Sequence, residues 1–368
     1  MQFILFFFYL IILALIFYLL ARICTHYFVE SLEILAKKLK LSEDIAGATL
    51  MAFGGSTPEL LIVIIALLHP GNHANFGAGA IVGSAIFNIL VVIGAAAIIH
   101  TAQLSWKPVV RDVVFYVSAI IALFLVFQDG RVKWYEALFL VILYLVYLFA
   151  LRTWQKFLPQ KDKEILLDKL SDDVEKKQQQ AIKSKNIFWQ GLSLLDVLLG
   201  KIFKDLDKEP QYYRRVFFLS LFFIGLLTWA LVETAIRLSL MLGIPDDFVA
   251  LTVVAVGTSI PDLVSAMFVS RQGHGGMAIA DALGSNIFDV LMGFGLPWLL
   301  FILITGRSLV VSTENLNGAV ILLLATVAMI FLLLLLRHFK IGKTVGILLI
   351  SCYGIYIIYT VLEILKIN

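Results

Sequence analysis

The stretch that decides the fold is Met51-Ala-Phe-Gly-Gly-Ser-Thr-Pro-Glu59, which lies inside an apolar segment long enough to cross a bilayer. An ionised glutamate at bilayer depth costs at least roughly 2.5–3.5 kcal/mol, so Glu59 is expected to face a protein interior or a wet cavity on an ion path. Pro58 lacks a backbone N–H and crowds the carbonyl one turn earlier, so the helix should break there. The carbonyls exposed around Gly55, the hydroxyl of Ser56 and the carboxylate outline a site for a hard cation.

The composition is that of a polytopic helical membrane protein. The chain has 368 residues, of which 61% are hydrophobic and 15% charged, and its mean hydropathy is +0.95. Its two cysteines are far apart and indicate no disulfide framework. The apolar N-terminus lacks a basic leader and a cleavage pattern, so we expect a true membrane helix there. Ten apolar runs reach spanning length, at about 3–21, 45–68, 76–99, 112–128, 135–152, 214–241, 246–270, 277–304, 317–336 and 344–365.

These runs predict two five-helix membrane units, 1–152 and 216–368, joined by a charged cytoplasmic loop, 153–215. Within the loop, apolar residues at helical spacing predict a helix on the membrane surface, namely Phe188, Leu192, Leu195, Leu199 and Ile202. If the N-terminus is outside, ten Lys and Arg residues fall in inside connections and four outside. The positive-inside rule then places both termini outside, in the plasma (inner) membrane.

The two halves carry the same motifs in the same order. Ala52-Phe-Gly-Gly-Ser-Thr-Pro-Glu59 is matched by Ala255-Val-Gly-Thr-Ser-Ile-Pro-Asp262, and Ile81-Val-Gly-Ser-Ala-Ile-Phe-Asn88 by Ala282-Leu-Gly-Ser-Asn-Ile-Phe-Asp289. Five spans in the first half force the second half to enter the membrane in the opposite sense. The predicted fold is therefore an all-α membrane protein of ten transmembrane helices in two inverted five-helix repeats, each with an ion-binding hairpin, about 45–99 and 246–304.

The hairpins are expected to bring an oxygen-only set of side chains to the midplane. A second helix break is expected at Pro261, and the glycines at 77, 79 and 83 are read as packing positions. Such a set suits calcium or sodium, whereas zinc or copper would require His or Cys. The candidate ligands are Glu59, Asp262, Asp289, Asp281, Ser56, Ser259, Thr258, Ser84, Ser285, Asn88 and Gly55.

Other uses of these residues fit less well. Paired carboxylates also serve hydrolases, but an enzyme has no need of duplicated broken helices. No phosphate-binding loop is present, so the energy for transport is expected to come from an ion gradient. The histidines at 73, 274 and 338 lie in predicted loops and are expected to be solvated. We therefore expect no enzyme activity, cofactor or nucleic-acid partner, and only inorganic cations and the lipid bilayer as partners.

At these motifs the chain resembles the cation/calcium exchanger superfamily, and most closely its potassium-dependent sodium/calcium branch. The resemblance implies that Glu59 and Asp262 bind calcium, and that Asp289 is tied to potassium. It also implies sodium sites around Asn88, and gating by sliding of the first and sixth spans. The stretches that carry it are Ile45-Ala-Gly-Ala-Thr-Leu-Met-Ala-Phe-Gly-Gly-Ser-Thr-Pro-Glu-Leu60, Val82-Gly-Ser-Ala-Ile-Phe-Asn-Ile-Leu90, Gly257-Thr-Ser-Ile-Pro-Asp262, Gly284-Ser-Asn-Ile-Phe-Asp289 and Gly295-Leu-Pro-Trp298.

The chain departs from that branch at four positions. Ala80 stands where the branch usually has Thr, Asp281 where it has Asn, and Ile62 and Val63 where it has a Thr-Ser pair. The first half thus loses hydroxyls and the second gains a carboxylate that could carry a proton. The sequence therefore predicts an antiporter that exchanges sodium, with or without potassium, for calcium by alternating access. A proton/calcium antiporter and a cation channel remain as alternatives.

Overall fold

The computed structural model describes residues 2–39, 47–71, 73–154, 187–206, 208–311 and 314–367. Among these residues, nine helices are long and apolar enough to cross a membrane, and a bent helix pair brings the number of candidate spans to ten. The helices are α1 (Gln2–Ile23 and Val29–Lys38, joined by π-helical Cys24–Phe28), α2 (π-helical Gly47–Met51 and Ala52–Gly55), α3 (Thr57–Leu68), α4 (Ala74–Ile99), α5 (Trp106–Phe127), α6 (Trp134–Trp154), α7 (Ile187–Ile202), α8 (Tyr213–Leu242), α9 (Asp246–Arg271), α10 (Gly275–Thr305), α11 (Glu314–Leu336) and α12 (Lys343–Ile367).

The first helix is longer than its apolar run. The expectation of a span at about 3–21 followed by a loop is wrong, because the helix continues through Arg22 to Lys38. The continuation, Val29–Lys38, contains Leu, Glu, Ala and Lys, which are good helix formers. At about 1.5 Å per residue, a helix of 35 residues is roughly 50 Å long, so part of it lies beyond a hydrocarbon core of about 30 Å.

The two proline motifs fold differently. In the first half the helix bends by 61° between α2 and α3, at Ser56, and Pro58 stands in the first turn of α3, where a missing N–H breaks no bond. The break expected at Pro261 is wrong, because α9 continues through that residue. There the helix loses one backbone hydrogen bond without ending, which packed membrane helices tolerate.

Short π-helical segments occur at matching places in the two halves. Gly47–Met51 and Ala250–Val254 each begin 12 residues before the acids Glu59 and Asp262. Asn88–Val92 and Asp289–Gly293 each begin at the last residue of the second motif. A π turn leaves an irregular hydrogen-bond pattern and is frequent at functional sites, and here all four segments border the duplicated motifs.

The connections between helices fall into two groups at opposite ends of the spans. β1 (Ala102–Gln103) pairs with β4 (Lys340–Ile341), and Gly275 lies against the backbone of His100, so these connections form one end, called here the basic end. β2 (Arg131–Val132) pairs with β3 (Leu309–Val310) at the other end. That end also contains the connections 69–73 and 243–245, and is called here the histidine end. The four two-residue strands lie only in connections, and every candidate span is helical, as the all-α expectation has it.

The centre of the molecule is α4, which is buried almost throughout its middle. It packs against α9 at such close range that a Cβ on Gly83 would lie 2.3 Å from the carbonyl oxygen of Leu251. A Cβ on Gly79 would lie 2.8 Å from the carbonyl oxygen of Asp247, and one on Gly77 3.0 Å from Val63. These contacts confirm that the three glycines allow close helix packing.

The end of the central loop is helical, as its apolar spacing predicts, and it packs against α1. Asp196 of α7 accepts hydrogen bonds of 2.9 Å from the Tyr18 hydroxyl and from Arg22 Nε. Just after α7, Phe203 is buried and stacks on Tyr27 with ring centroids 4.4 Å apart. The start of the predicted loop, residues 155–186, lies outside the described residues.

Candidate cation site between the two hairpins

Three carboxylates from both halves converge at the centre of the molecule. Glu59 lies in the first turn of α3, Asp262 in the middle of α9, and Asp289 at the first π residue of α10. Only 4% of Glu59 and 3% of Asp289 is exposed, whereas Asp262 is half-buried. Asp262 and Asp289 both lie close enough to Glu59 to interact with it electrostatically. Like charges at this range in a buried site repel one another, and a bound cation relieves that repulsion.

Hydrogen bonds connect the two hairpins directly. The hydroxyls of Ser84 and Ser259 are 2.8 Å apart, and both side chains are buried. The Asn88 amide nitrogen donates to Asp262 over 3.2 Å. Two successive turns of α4, at Ser84 and at Asn88, are therefore each hydrogen-bonded to a residue of the second half.

Three buried oxygens at this junction accept no hydrogen bond among the described residues. They are Glu59 Oε2, Asn88 Oδ1 and Asp289 Oδ1. The hydroxyl of Thr258 faces the Glu59 carboxylate, and that of Ser56 faces the Asp289 carboxylate. Buried acceptors without a donor are costly unless something positive occupies the space between them. Carboxylate, amide and hydroxyl oxygens are the ligands that calcium and sodium take.

The remaining candidates lie at the edge of the site. Gly55 and Asp281 are exposed, and Ser285 is half-buried with its hydroxyl donating to the carbonyl of Ala282 over 3.3 Å. Asp281 interacts electrostatically with Asp262. Because Asp281 is exposed and not packed among the buried ligands, the structure brings it to the mouth of the site and not to its centre.

The mouth opens toward the basic end. Exposed Ala280 and Asp281 lie near the basic end of α10, and exposed Ser265 lies on the half of α9 that runs to the same end. A carboxylate facing lipid would be costly, so the exposed Asp281, with Ser265 near it, marks a water-accessible opening. Toward the histidine end, Leu60 and Ile62 are buried and Gly83 packs against Leu251. The site is open at the basic end and closed at the histidine end.

One residue at the centre was missed from the sequence. Asn286 is fully buried; it accepts from the Asn88 amide over 3.0 Å and donates to the carbonyl of Ala85 over 3.2 Å. The available signal was its position in the second motif, Ser285-Asn-Ile-Phe-Asp289, where the first half has Ala85. A polar residue at only one of two equivalent positions indicates a contact specific to that half.

Three of the four positions that depart from the resembled branch are apolar contacts here. Ile62, Val63 and Ala80 are each at most 1% exposed and lie within the two hydrophobic cores. Among the described residues, no three His, Cys, Asp or Glu side chains are arranged closely enough to hold a metal ion by themselves. Serine, threonine, asparagine and backbone oxygens would therefore have to complete any cation shell.

The expectation that His73 is solvated is wrong. His73 is hydrogen-bonded through Nδ1 to the carboxylate of Asp246, and its side chain is 17% exposed. A histidine in a predicted turn gives no sequence signal for this contact, because its partner is far away in the chain.

The fold is that of a polytopic membrane protein, and the buried oxygen cluster is a candidate cation site between its two hairpins. The profile of a family described as Sodium/calcium exchanger protein matches residues 8–152 and 215–362. The chain belongs to this family.

Named relatives and solved structures agree with that assignment. The chain is 26% identical to Sodium/potassium/calcium exchanger 1 of Gallus gallus, over 94% of this chain and 77% of the relative. It is 26% identical to Sodium/potassium/calcium exchanger 5 of Homo sapiens, over 94% and 81%. A structure of the sodium-calcium exchanger NCX_Mj, soaked with Na+ and Sr2+, is 25% identical with a TM-score of 0.56, over 96% of this chain and 98% of that chain. The H+/Ca2+ exchanger CAX shares the fold, with 14% identity, a TM-score of 0.67, and coverage of 94% and 82%.

Proposed function

We propose that the protein is a secondary antiporter that exchanges sodium for calcium by alternating access. The observation that carries this proposal is the group of buried oxygens without donors, Glu59 Oε2, Asn88 Oδ1 and Asp289 Oδ1, held at the junction of the two hairpins. One divalent ion or several monovalent ions compete for these oxygens. Either load neutralises the carboxylates enough for the mouth to close, whereas the empty, charged site is costly to seal.

The proposed ligand set combines this geometry with the roles that the family resemblance implies. Glu59 and Asp262 form the calcium pair, with support from the Ser56, Thr258 and Ser259 hydroxyls and from the carbonyls near Gly55. Sodium takes the sites bordered by Asn88, Ser84 and Ser285. Asp289 is the proposed potassium position, because it is the buried acid on α10 and the relatives named above are sodium/potassium/calcium exchangers. Asp281 lies outside this set and acts at the entrance.

The proposed architecture is ten spans in two inverted five-helix repeats, with residues 153–215 as a cytoplasmic loop. Three observations support it: the bent α2–α3 pair raises nine spans to ten, the π segments occur at matching positions, and one family profile matches both halves. The charge bias places the basic end in the cytoplasm and both termini outside, in the plasma (inner) membrane. The mouth then opens to the cytoplasm.

The test is calcium uptake into proteoliposomes that contain the purified full chain, under an imposed sodium gradient, with and without potassium. Wild type should take up calcium only while the gradient lasts, and Glu59→Gln should remove that uptake. Asp129→Asn, which alters an exposed carboxylate in a connection, is the matched control and should behave as wild type. Uptake without any gradient, or full activity in Glu59→Gln, would contradict the proposal.

Proton coupling is the second candidate, because Asp281 adds a carboxylate next to Asp262 and the fold is shared with an H+/Ca2+ exchanger. It predicts calcium uptake driven by a pH gradient in sodium-free buffer, and loss of that uptake in Asp281→Asn. Sodium-driven uptake that persists when the pH gradient is collapsed would exclude it. A channel would instead give electrical currents far above carrier turnover.

A further inference from the structure

A pair of contacting histidines lies at the histidine end of the molecule. The connection between α3 and α4 contains His69 and His73, whose rings are edge-to-face with centroids 4.8 Å apart. His69 Nε2 lies 2.9 Å from Glu233 on α8, and His73 Nδ1 bonds Asp246 at the start of α9. The contact therefore joins the first hairpin to two helices of the second half.

Both ring nitrogens of each histidine face oxygens that only accept. His69 Nδ1 is 3.0 Å and His73 Nε2 is 3.2 Å from the carbonyl oxygen of Pro70, and the other two nitrogens face carboxylates. A neutral imidazole has one donor and one acceptor, so it satisfies only one of its two oxygens. The doubly protonated ring donates to both. The geometry thus fits two imidazolium rings better than two neutral ones.

Charged groups on α8 and α9 surround the two rings. Arg237 of α8 pairs with the second oxygen of Glu233 over 2.5 Å, and Tyr9 of α1 faces Arg237. Asp247, next to Asp246, is buried and accepts the backbone N–H of Phe248. The side chains of the four paired groups are 17–26% exposed, so protons reach them from the aqueous side while the charges remain partly screened from water.

We propose that His69 and His73 form a proton-sensitive latch that holds the histidine end closed. Protonation from that side strengthens the bonds to α8 and α9, and so favours the state in which the cation site opens at the basic end. This step rests on the proposed alternating access, in which α8, the sixth span, slides past the hairpin. Histidine side chains in general change charge between about pH 5 and 8, which sets the two pH values compared in the test.

The direct test measures access to the basic end without measuring transport. Ala280 is exposed beside Asp281, so Ala280→Cys gives a thiol whose labelling rate reports the open mouth. The full chain in detergent is labelled at pH 8 and at pH 5.5, with the parent chain subtracted because Cys24 and Cys352 are free thiols. The same measurement on the His69→Gln/His73→Gln double variant corrects for the pH dependence of the thiol itself.

At each pH, the labelling rate of the protein with both histidines is divided by the labelling rate of the double variant. This ratio should rise about fivefold from pH 8 to pH 5.5. A ratio that stays constant with pH would overturn the latch. Glu233→Gln keeps both histidines but removes one anion, so it should also flatten the ratio and serves if the double variant does not fold. His274→Gln, a histidine at the basic end, should leave the ratio at its wild-type value.

Transport supplies the second measurement. Acid on the histidine side should slow sodium-driven calcium uptake from that side in wild type, and this inhibition should be lost in the double variant while uptake at pH 8 is retained. If the exchange proposal fails, no gradient-driven uptake occurs but the labelling ratio still changes with pH. If only the latch proposal is wrong, gradient-driven uptake remains, and wild type and the double variant show the same dependence of uptake on pH.

Discussion

The amide of Asn88 has one oxygen and two N–H groups, and its neighbours decide which of these faces the cation site. The carbonyl of Ala85 can only accept, so it fixes the nitrogen of Asn286 toward itself and the oxygen of Asn286 toward Asn88. Asn88 must then present its N–H groups to Asn286 and Asp262, which leaves Oδ1 for the cation. Asn286 is a positioning residue that acts through Asn88.

Removing this constraint should weaken calcium binding. Asn286→Ala frees the Asn88 amide to rotate, so the calcium concentration at half-maximal uptake should rise about tenfold, as for other groups that orient a cation ligand. Asn286→Asp keeps the oxygen that accepts from Asn88 and should have the smaller effect. Uptake titrations measure both, with thermal unfolding midpoints as a check on folding. Equal losses of calcium affinity in the two variants would indicate that Asn286 acts by packing and not by orienting the Asn88 amide.

Asp281 should affect entry from one side only. It is exposed at the mouth on the basic end, so its charge attracts cations before they reach the buried ligands. Asp281→Asn should lower the rate of calcium entry from the basic end about threefold or more at low salt, and less at high salt, because exposed charges are screened. Initial rates in right-side-out and inverted vesicles measure this. Equal losses from both sides would place Asp281 inside the site.

At the scale of elements, the two proline motifs have the same pattern and different shapes. Pro58 lies where α3 begins after the 61° bend, whereas Pro261 lies inside the unbroken α9. A residue other than proline at position 58 has a backbone N–H that can form a helical hydrogen bond across the bend. At position 261 such an N–H only adds one hydrogen bond to a helix that is already continuous. The same substitution therefore has different consequences in the two halves.

Pro261→Ala should stabilise the protein, by up to about 3 kcal/mol, since proline in a helix interior carries a penalty of that size. Pro58→Ala should straighten the bend at Ser56, turn the carbonyls near Gly55 away from the site, and raise the calcium requirement about tenfold. Thermal unfolding midpoints and uptake titrations on the pair separate these effects. A larger transport defect in Pro261→Ala than in Pro58→Ala would show that the bend does not form the site.

Much of this arrangement could be predicted from local pattern. The duplicated motifs identify the hairpins, and the cost of burying an acid identifies Glu59 and Asp262 as residues that must meet. The continuity of α9 could not be predicted, because proline has the same local chemistry in both halves and packing decides whether the helix bends. The bonds of Asn286 and His73 join residues about 170 to 200 positions apart, which no spacing rule reaches. The full length of α1 was missed because the span was ended where the apolar run ends. The helix continues, since no helix-ending residue separates that run from the amphipathic segment Val29–Lys38.

At the scale of the whole molecule, the two hairpins are equivalent in sequence and unequal in packing. Gly83 and Gly284 occupy the same place in the second motif, yet a Cβ would lie 2.3 Å from the Leu251 oxygen at the first and meets no atom within 4 Å at the second. The closed and open sides of the site thus correspond to the two repeats. Under the proposed inverted repeat, the opposite state would exchange these environments, with Gly284 packed and Gly83 free.

The two glycines should therefore bias access in opposite directions. Gly83→Ala forces α4 away from a backbone oxygen, which cannot yield as a side chain does, and should lower labelling of Ala280→Cys about tenfold by disfavouring the state open at the basic end. Gly284→Ala is accommodated in that state and should maintain or raise the labelling while it hinders the opposite state. Both should slow calcium exchange, because alternation requires each state in turn. Gly79→Ala, with its Cβ 2.8 Å from the Asp247 oxygen, replaces Gly83→Ala if that variant does not fold. If Gly83→Ala and Gly284→Ala change the labelling in the same direction, the exchange of environments is contradicted, because the packing around the two glycines would then be the same in both states.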